Sequence, residues 1–492
     1  KLPKGRDRMN RQLKRVTIVM LLMFMTLFAS TSVIQVVQAD ALAQHPNNKR
    51  ALYDSYEVQR GAIVVGGVPI ALSVPSNDIY SFQRVYPAGP MWAPVTGYIN
   101  PILQSRTGIE AAMNQVLSGT AGSQFFARVE RVFTGQPPRG SNVALSLDAA
   151  AQAAAFEAMG DLQGAVVAIE PKTGRILAMV STPGFDPNLL AAHNADEVLA
   201  TFAGLEADPT HPLDNRGIAG NLNPPGSTFK LVVASAALAS GAYTPQSMLP
   251  NPAVFQLPES NDVVRNASGT TCGPEPEVSI ADALRFSCNV PFAELALRLG
   301  DDAIREQAEL YGFNASFETP LVSTPSSYPK ALDDPQTALT GFGQGQVTAT
   351  PLQMAMVSAG IANQGLVMSP RMVDAVLGPD LRVQERFDDV EWARALDKKL
   401  AEEMTQMMVA NVSSGVATGA RIDGVEVAGK TGTSENGGKP YSLWFTGFAP
   451  ANDPQVAVAV VVENGGGKGT SGSGNAIAAP IAKRVMEAVL NK

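Results

Sequence analysis

The stretch PPGSTFK at Pro224–Lys230 leads straight into the apolar run LVVASAAL at Leu231–Leu238. Proline and glycine favour a turn, and the apolar run is typical of a buried helix. We expect Ser227 at or near the helix N-terminus, where free N–H groups and the helix dipole favour an anion. Lys230 then lies one turn later on the same face. Because burial lowers the pKa of a lysine, a neutral Lys230 could take the proton of Ser227 and create a nucleophile without a histidine.

The pattern Ser-x-x-Lys is short and also occurs by chance. On its own, a helix-capping serine beside a solvated lysine is the simpler interpretation. A second copy at Ser327–Lys330 contains Pro329, which would disrupt a helix at that point. Other parts of the chain must therefore decide whether Ser227 is a nucleophile.

Serine acyl-transfer enzymes that use lysine as the base carry Ser-x-x-Lys, then Ser-x-Asn, then Lys-Thr-Gly. Both further motifs occur more than once, at Ser287–Asn289, Ser434–Asn436 and Ser473–Asn475, and at Lys172–Gly174 and Lys430–Gly432. The required order leaves one solution, in which Ser287–Asn289 and Lys430–Gly432 complete the set. The copy at Lys172–Gly174 is then interpreted as an ordinary hairpin turn.

The first two motifs supply the groups that attack on an amide requires. Ser227 would be the nucleophile and Lys230 its base. The leaving amine needs a proton, which the hydroxyl of Ser287 could relay, and Asn289 could hold the substrate amide.

The third motif supplies groups for binding the substrate. Lys430 and Thr431 could bind a substrate carboxylate, and Gly432 would let the substrate backbone approach the strand. The N–H groups of Ser227 and Thr433 could form an oxyanion hole.

A nucleotide-binding motif overlaps the third element, because GVEVAGKT at Gly424–Thr431 matches the phosphate-binding P-loop. A P-loop opens into a helix, whereas Val425–Ala428 alternates like a strand and Thr431–Gly438 would break a helix. We therefore expect no nucleotide at this position. The three histidines, His45, His193 and His211, show no metal-ligand spacing, so we expect neither a metal nor another cofactor.

Charge is distributed unevenly along the 492 residues. Residues 1–15 carry seven Lys or Arg and one Asp, whereas the remainder carries 30 basic and 44 acidic residues, a net charge of −14. Such an acidic body does not resemble a nucleic-acid-binding protein. Between Arg15 and Asp40 lie 24 residues without a charge, enough to cross a bilayer once.

We therefore predict a basic cytoplasmic tail at residues 1–15 and an uncleaved transmembrane anchor at residues 16–37, with the acidic body outside the cell. A cleaved signal peptide is the alternative, since Ala39–Ala41 resembles a small-residue cleavage site.

Outside the cell Cys272 and Cys288 could pair, which would close a loop of about 17 residues and stabilise the fold by roughly 3 kcal/mol. Two free buried thiols are the alternative.

The rest of the chain is predicted to form two α+β domains. Residues 38–140 are interpreted as a small membrane-proximal domain that begins with two strands around a Gly66-Gly67 turn. Residues 141–492 are interpreted as a larger domain. Strands near both of its ends, at 164–180 and 443–462, enclose a series of helices, so we expect one sheet to join the two ends.

With these motifs in place, the chain resembles the class B penicillin-binding proteins, which are monofunctional transpeptidases. Other segments that carry the resemblance are Arg60–Ile63, Gly108–Glu110, Pro171–Ala178, Pro183–Asn188, Gly341–Gly345 and Thr350–Met354. The resemblance implies a penicilloyl-transferase (serine β-lactamase-like) fold, in which helices flank an antiparallel sheet, with a small membrane-proximal domain and one N-terminal transmembrane helix.

The resemblance also implies the activity of a peptidoglycan D,D-transpeptidase. Such an enzyme cross-links stem peptides through an acyl-enzyme, here on Ser227, releases D-Ala and is inhibited when β-lactam antibiotics acylate it. The implied partners are stem peptides, β-lactams, the membrane, and proteins of cell division or elongation. A D,D-carboxypeptidase or a β-lactamase-type hydrolase would share the acylation site and pass the acyl group to water. A non-enzymatic β-lactam receptor would need a larger cytoplasmic part than 15 residues.

Overall fold

The structure is a computed structural model that describes residues 5–38, 42, 58–121 and 139–491. Contacts divide the chain into two units, Lys1–Glu57 and Val58–Lys492.

Nineteen strands lie in the described part of the second unit: β1 Ile63–Val65, β2 Val68–Pro75, β3 Phe82–Val85, β4 Ile99–Asn100, β5 Ser105–Arg106, β6 Asn142–Leu145, β7 Gly164–Ile169, β8 Ile176–Thr182, β9 Met248–Pro250, β10 Val254–Gln256, β11 Val263–Arg265, β12 Glu277–Ser279, β13 Leu366–Met368, β14 Val373–Leu377, β15 Val383–Arg386, β16 Glu391–Arg394, β17 Ala428–Asn436, β18 Lys439–Ala449 and β19 Val456–Val462. The α-helices of the described residues are α1 Gly5–Ser32, α2 Gly89–Thr96, α3 Gly108–Ala112, α4 Asn114–Leu117, α5 Ala149–Met159, α6 Pro187–Ala191, α7 Ala195–Ala207, α8 Lys230–Ala239, α9 Ile280–Arg285, α10 Asn289–Leu299, α11 Asp301–Leu310, α12 Asp334–Thr340, α13 Pro351–Ala362, α14 Lys398–Ser413 and α15 Ala478–Leu490.

The first unit contains α1, which continues as a π-helix over Val33–Val37. Its stretch Leu13–Val37 spans 25 residues and is long and apolar enough to cross a membrane. The predicted anchor at residues 16–37 lies within this helix. The alternative cleavage site at residues 39–41 lies outside the described residues.

A five-stranded antiparallel sheet in the order β17-β18-β19-β7-β8 forms the centre of the second unit. On one face Val167 and Val461 pack in the core that contains α13, and on the other Val166 and Val460 pack in the core that contains α5 and α15. Because both faces are covered, the strands are continuous apolar runs rather than alternating ones. The sheet pairs β7 with β19, so the expectation that one sheet joins the two ends of the larger domain is confirmed.

A six-stranded sheet in the order β15-β14-β6-β1-β2-β3 contains strands from both predicted domains. Ile63 of β1 pairs in parallel with Val143 of β6, across the predicted boundary at residue 140. The Gly66-Gly67 turn between β1 and β2 is present, with both glycines at positive φ. The two predicted domains therefore share a sheet. Their division at residue 140 stays a prediction.

A buried ion triad fastens α3 to this sheet. Arg60 precedes β1, Arg84 lies on β3, and the Nε atom of each donates to one oxygen of Glu110 at 2.6 Å. Burial alone would raise the pKa of Glu110, but the two guanidinium charges outweigh burial and lower it below its ordinary value. Glu110 is therefore an ionised carboxylate in a fully buried position.

One local prediction is wrong. Val425–Ala428 was expected to be a strand, but β17 begins only at Ala428, and Val425 forms a tight turn with Ile422. The expected hairpin turn at Lys172–Gly174 is present between β7 and β8, with Gly174 at a φ of 76°.

Candidate active site

Ser227 lies in a short 3-10 helix, Gly226–Phe229, which α8 continues from Lys230. This arrangement places the lysine behind the serine, with Lys230 Nζ at 3.0 Å from Ser227 Oγ. Gly226 has a φ of 54°, and its N–H donates to the carbonyl of Gly343 at 2.9 Å. A Cβ atom on Gly343 would lie 2.0 Å from the carbonyl oxygen of Gly226, so this approach requires a glycine.

Lys230 is fully buried, and its Nζ atom also donates to the carbonyl of Ser287 and to Asn289 Oδ1, each at 2.8 Å. Burial, with a further contribution from the charge of Lys430, lowers the pKa of Lys230 well below its ordinary value. A neutral amine has two N–H groups and one lone pair. If the N–H groups point at Ser287 and Asn289, the lone pair points at the hydroxyl of Ser227.

Asn289 thus contacts the lysine, and its Nδ2 atom donates to the carbonyl of Arg265 at 3.0 Å. The contact with Lys230 adds a second feature to the predicted role of Asn289 in holding the substrate amide, which stays a prediction. Asn266 was missed entirely. Its Oδ1 atom accepts from the N–H groups of Asn289 and Val290 at 2.8 and 3.0 Å, and so caps α10. Asn266 belongs to no motif, and nothing in the sequence pointed to it.

Ser287 has a φ of 60°, in the left-handed region that non-glycine residues seldom occupy and that is common at functional sites. The next residue, Cys288, is joined to Cys272 by a disulfide with a Cα–Cα distance of 5.9 Å. The turn is therefore tied both to the segment after β11 and to α10. Together these links hold the Ser287 hydroxyl towards β17.

Lys430 of β17 is fully buried, and its Nζ atom donates to Ser287 Oγ at 2.7 Å and to the carbonyl of Thr431 at 2.9 Å. Burial lowers its pKa to about 7. A group with this pKa exchanges protons near neutrality, and it lies within hydrogen-bond distance of the predicted relay hydroxyl.

Thr431, Gly432 and Thr433 follow on β17, which is an edge strand of the central sheet within the described chain. An edge strand leaves a row of backbone groups without a strand partner. A Cβ atom on Gly432 would lie 2.8 Å from the carbonyl oxygen of Pro225. Gly432 is therefore required for close packing of the serine turn on β17, in addition to the expected access for substrate.

The motif copies that the sequence analysis rejected make structural contacts in the fold. Ser327 pairs with Thr348 through backbone groups, and Ser434 Oγ donates to the carbonyl of Pro224 at 2.6 Å. The P-loop match at Gly424–Thr431 leads into the strand β17 and not into a helix. The structure thus joins the three selected motifs around Lys230.

Comparison with known proteins identifies the family to which the chain belongs. The penicillin binding protein transpeptidase domain matches residues 164–487, and the penicillin binding protein A dimerisation domain matches residues 60–143. The chain belongs to the penicillin-binding protein transpeptidases. The class B resemblance drawn from the motifs is therefore confirmed.

The chain is 40% identical to the peptidoglycan D,D-transpeptidase PbpA of Mycolicibacterium smegmatis, over 98% of this chain and 100% of the relative. A solved structure of penicillin-binding protein A from M. tuberculosis, a ceftriaxone acyl-enzyme complex, has 40% identity and a TM-score of 0.86 over 89% of this chain and 100% of that chain. A D,D-transpeptidase domain from Eggerthella lenta has 30% identity and a TM-score of 0.76 over 88% and 99%.

The first two of these proteins are penicillin-binding protein A of actinobacteria, and the chain is close to that protein. The expected α+β penicillin-binding fold is confirmed, and so is the class of reaction. The chain is a serine-type D-Ala-D-Ala transpeptidase of peptidoglycan.

Proposed function

We propose that Ser227 is the nucleophile of the transpeptidation and that Lys230 is its general base. The support is the 3.0 Å contact between Lys230 Nζ and Ser227 Oγ, made by an amine whose pKa burial lowers. The hydroxyl proton passes to Lys230 as Ser227 Oγ bonds to the carbonyl carbon between the two D-Ala residues. The N–H groups of Ser227 and Thr433 accommodate the oxyanion.

Collapse of this intermediate breaks the peptide bond and expels D-Ala, whose nitrogen needs a proton. Ser287 Oγ donates that proton and is replenished by Lys430, which lies 2.7 Å away. Before the reaction, Lys430 and Thr431 bind the terminal carboxylate of the donor peptide. An amine of a neighbouring stem peptide then attacks the acyl-enzyme, loses a proton to the same groups, and restores Ser227.

β-Lactams take the place of the donor peptide, with the amide bond of the ring as the bond that breaks. The expelled nitrogen stays attached to the acyl group, so it obstructs the approach of the acceptor amine. A hydrolase would differ only in the acceptor, which would be water.

We also propose that α1 anchors the chain once in the plasma membrane, with residues 1–15 in the cytoplasm and the catalytic part outside. Residues 16–37 would be the anchor, 38–140 the membrane-proximal domain and 141–492 the transpeptidase domain. The basic segment before the apolar helix and the disulfide both support this orientation. Proteins of cell division or elongation are the proposed partners, because cross-links form where new wall is inserted.

The test is intact-mass analysis of the detergent-solubilised full chain with a penicillin. A stable adduct of one penicillin on the wild type, and none on Ser227→Ala, is expected. An adduct that disappears within seconds would indicate a hydrolase, and labelling of Ser227→Ala would remove Ser227 from the mechanism. Addition of an acyl-D-Ala-D-Ala peptide and an amine acceptor should yield the cross-linked product and free D-Ala.

A further inference from the structure

Glu463 directly follows β19 and lies at the centre of a buried polar network that includes none of the three motifs. Its Oε1 atom accepts from Asn223 Nδ2 at 2.9 Å, and its Oε2 atom accepts from Gln163 Nε2 at 2.7 Å. The guanidinium of Arg216, itself buried, lies 3.6 Å from Oε2. The carboxylate is about nine-tenths buried and is satisfied by these three side chains.

Asn223 carries this contact to the serine turn, because it directly precedes Pro224–Gly226. Its Oδ1 atom accepts from Ser442 Oγ of β18 at 2.7 Å, and the carbonyl of Pro224 accepts from Ser434 Oγ of β17 at 2.6 Å. Both serines are buried. Side chains from β17, from β18 and from the end of β19 therefore hold one side of the turn.

The distance between the turn and β17 is short. A Cβ atom on Gly226 would lie 3.1 Å from the carbonyl oxygen of Thr433, and one on Gly432 would lie 2.8 Å from that of Pro225. Ser227 is on the turn and Thr433 is on the strand, so a movement of the turn changes the separation of their N–H groups. Misplacement of reacting groups by 1 Å can lower a rate about 100-fold.

We propose that Glu463 is a positioning residue for acylation. It holds Asn223, and through it the turn that carries Ser227, at the separation from β17 that the oxyanion hole requires. This inference rests on the proposed function of Ser227 and Thr433. In this role Glu463 acts through Asn223 and not on the reacting atoms themselves. A carboxylate suits the position because it must accept from two amide groups and face a guanidinium at the same time.

The test measures acylation of the detergent-solubilised full chain by a fluorescent penicillin over a range of concentrations. Such a series separates the dissociation constant of the initial complex from the acylation rate constant. For Glu463→Ala we expect the rate constant to fall roughly tenfold to 100-fold, with a dissociation constant within about threefold of the wild type. Glu463→Gln keeps an acceptor for Asn223 and should recover most of the rate.

Gln163→Ala is the matched control, because it removes the other amide donor to the same carboxylate without touching the turn. Its acylation rate should stay within about threefold of the wild type. Asn223→Ala breaks the contact with Glu463 from the turn side. Because both substitutions remove the hydrogen bond between Asn223 and Glu463, the rate loss of the double variant with Glu463→Ala should be smaller than the product of the two single losses.

Equal rates for Glu463→Ala and Gln163→Ala, or multiplied losses in the double variant, would overturn the proposal. If Glu463→Ala does not fold, the acylation rate constants of Glu463→Gln and Asn223→Ala test the proposal instead. The thermal midpoint of each variant is measured alongside to show that it is folded. Failure of the wild type to label at Ser227 would instead count against the proposed function. Normal acylation rates in all these variants would leave the role of Ser227 as nucleophile unaffected and reject only the positioning role of Glu463.

Discussion

Lys230 Nζ and Asn289 Oδ1 lie 2.8 Å apart, so the asparagine of the Ser-x-Asn motif contacts the proposed base, the lysine of the Ser-x-x-Lys motif. Asn289 is in turn fixed by Asn266 and by the carbonyl of Arg265. Two motifs that are separate in sequence thus form one hydrogen-bonded cluster of side chains. An uncharged partner at this position allows Lys230 to remain neutral, whereas a carboxylate would favour its ammonium form.

Asn289→Asp should therefore raise the pKa of Lys230 and reduce the neutral fraction of the base at pH 7. The acylation rate should fall at neutral pH and recover as the pH rises, so that the ascending limb of the pH profile moves to higher pH by roughly one unit or more. The measurement is the acylation rate constant with penicillin as a function of pH. Asn289→Ala serves as the control, because it removes the contact without adding charge and should lower the rate without moving the limb. An unchanged limb in Asn289→Asp would contradict the role of Asn289 beside the base.

The charge on Lys430 leads to a second pH-dependent prediction. Burial lowers its pKa to about 7, so the free enzyme loses this positive charge as the pH rises through neutrality. A penicillin with a free carboxylate should be favoured over its methyl ester by roughly 10- to 100-fold below pH 7, since a hydrogen bond to a charged group contributes about 1.5–3 kcal/mol. This preference should shrink above pH 7.

The measurement is the ratio of the second-order acylation rates of the acid and the ester between about pH 6 and pH 9. The titration of Lys230 changes both acylation rates by the same factor, because both compounds need the same base. It therefore cancels in the ratio. A ratio that stays constant over this range would mean that Lys430 does not bind the carboxylate.

The side chains of the candidate site could be picked out from sequence because each motif is short and its members are fixed by local geometry. Lys230 follows Ser227 by one helical turn, and the order of the three motifs then selects Ser287 and Lys430. The contacts that orient these groups were not predictable, because they are made by residues such as Asn266 that are distant in sequence. No periodicity marks an isolated asparagine as a cap for a helix that begins 23 residues later.

In the sheets too, pairings between neighbouring segments could be predicted from sequence, whereas pairings between distant segments could not. The pairing of β7 with β8 across a tight turn follows from neighbouring residues. The parallel pairing of Ile63 with Val143 does not, because it joins segments 80 residues apart on either side of a predicted domain boundary. The strand predicted at Val425–Ala428 was wrong, since alternation over four residues is also compatible with the tight turn that Val425 forms with Ile422.

The buried triad predicts a large stability effect at Glu110. Glu110→Ala would leave the guanidinium groups of Arg60 and Arg84 buried without a counter-charge, and should reduce the free energy of unfolding by roughly 3–5 kcal/mol. Asp453→Ala is the control, because Asp453 pairs with Lys172 at the surface and should contribute less than about 1 kcal/mol. Urea denaturation of the full chain in detergent compares the two.

The same triad has a defined pH dependence. Because the pKa of Glu110 is lower in the folded state, its contribution is fully present above its ordinary pKa of 4.5 and is lost as the pH falls through the lowered value. The difference between wild type and Glu110→Ala should therefore shrink in strong acid. Similar losses for Glu110→Ala and Asp453→Ala at neutral pH would show that the triad is not a stabilising unit.

The disulfide between Cys272 and Cys288 is expected to affect both stability and catalysis. Peptide mapping without reduction should recover the two cysteines in one cross-linked fragment, with no thiol open to alkylation. Reduction should lower stability by roughly 3 kcal/mol, as expected for a loop of this length. Because Cys288 lies between Ser287 and Asn289, reduction should also slow acylation, whereas Cys272→Ala should reproduce that slowing without a reductant. Two alkylatable thiols in the native chain would refute the bond. Unchanged acylation after complete reduction would instead show that hydrogen bonds hold the Ser287–Asn289 turn without the disulfide.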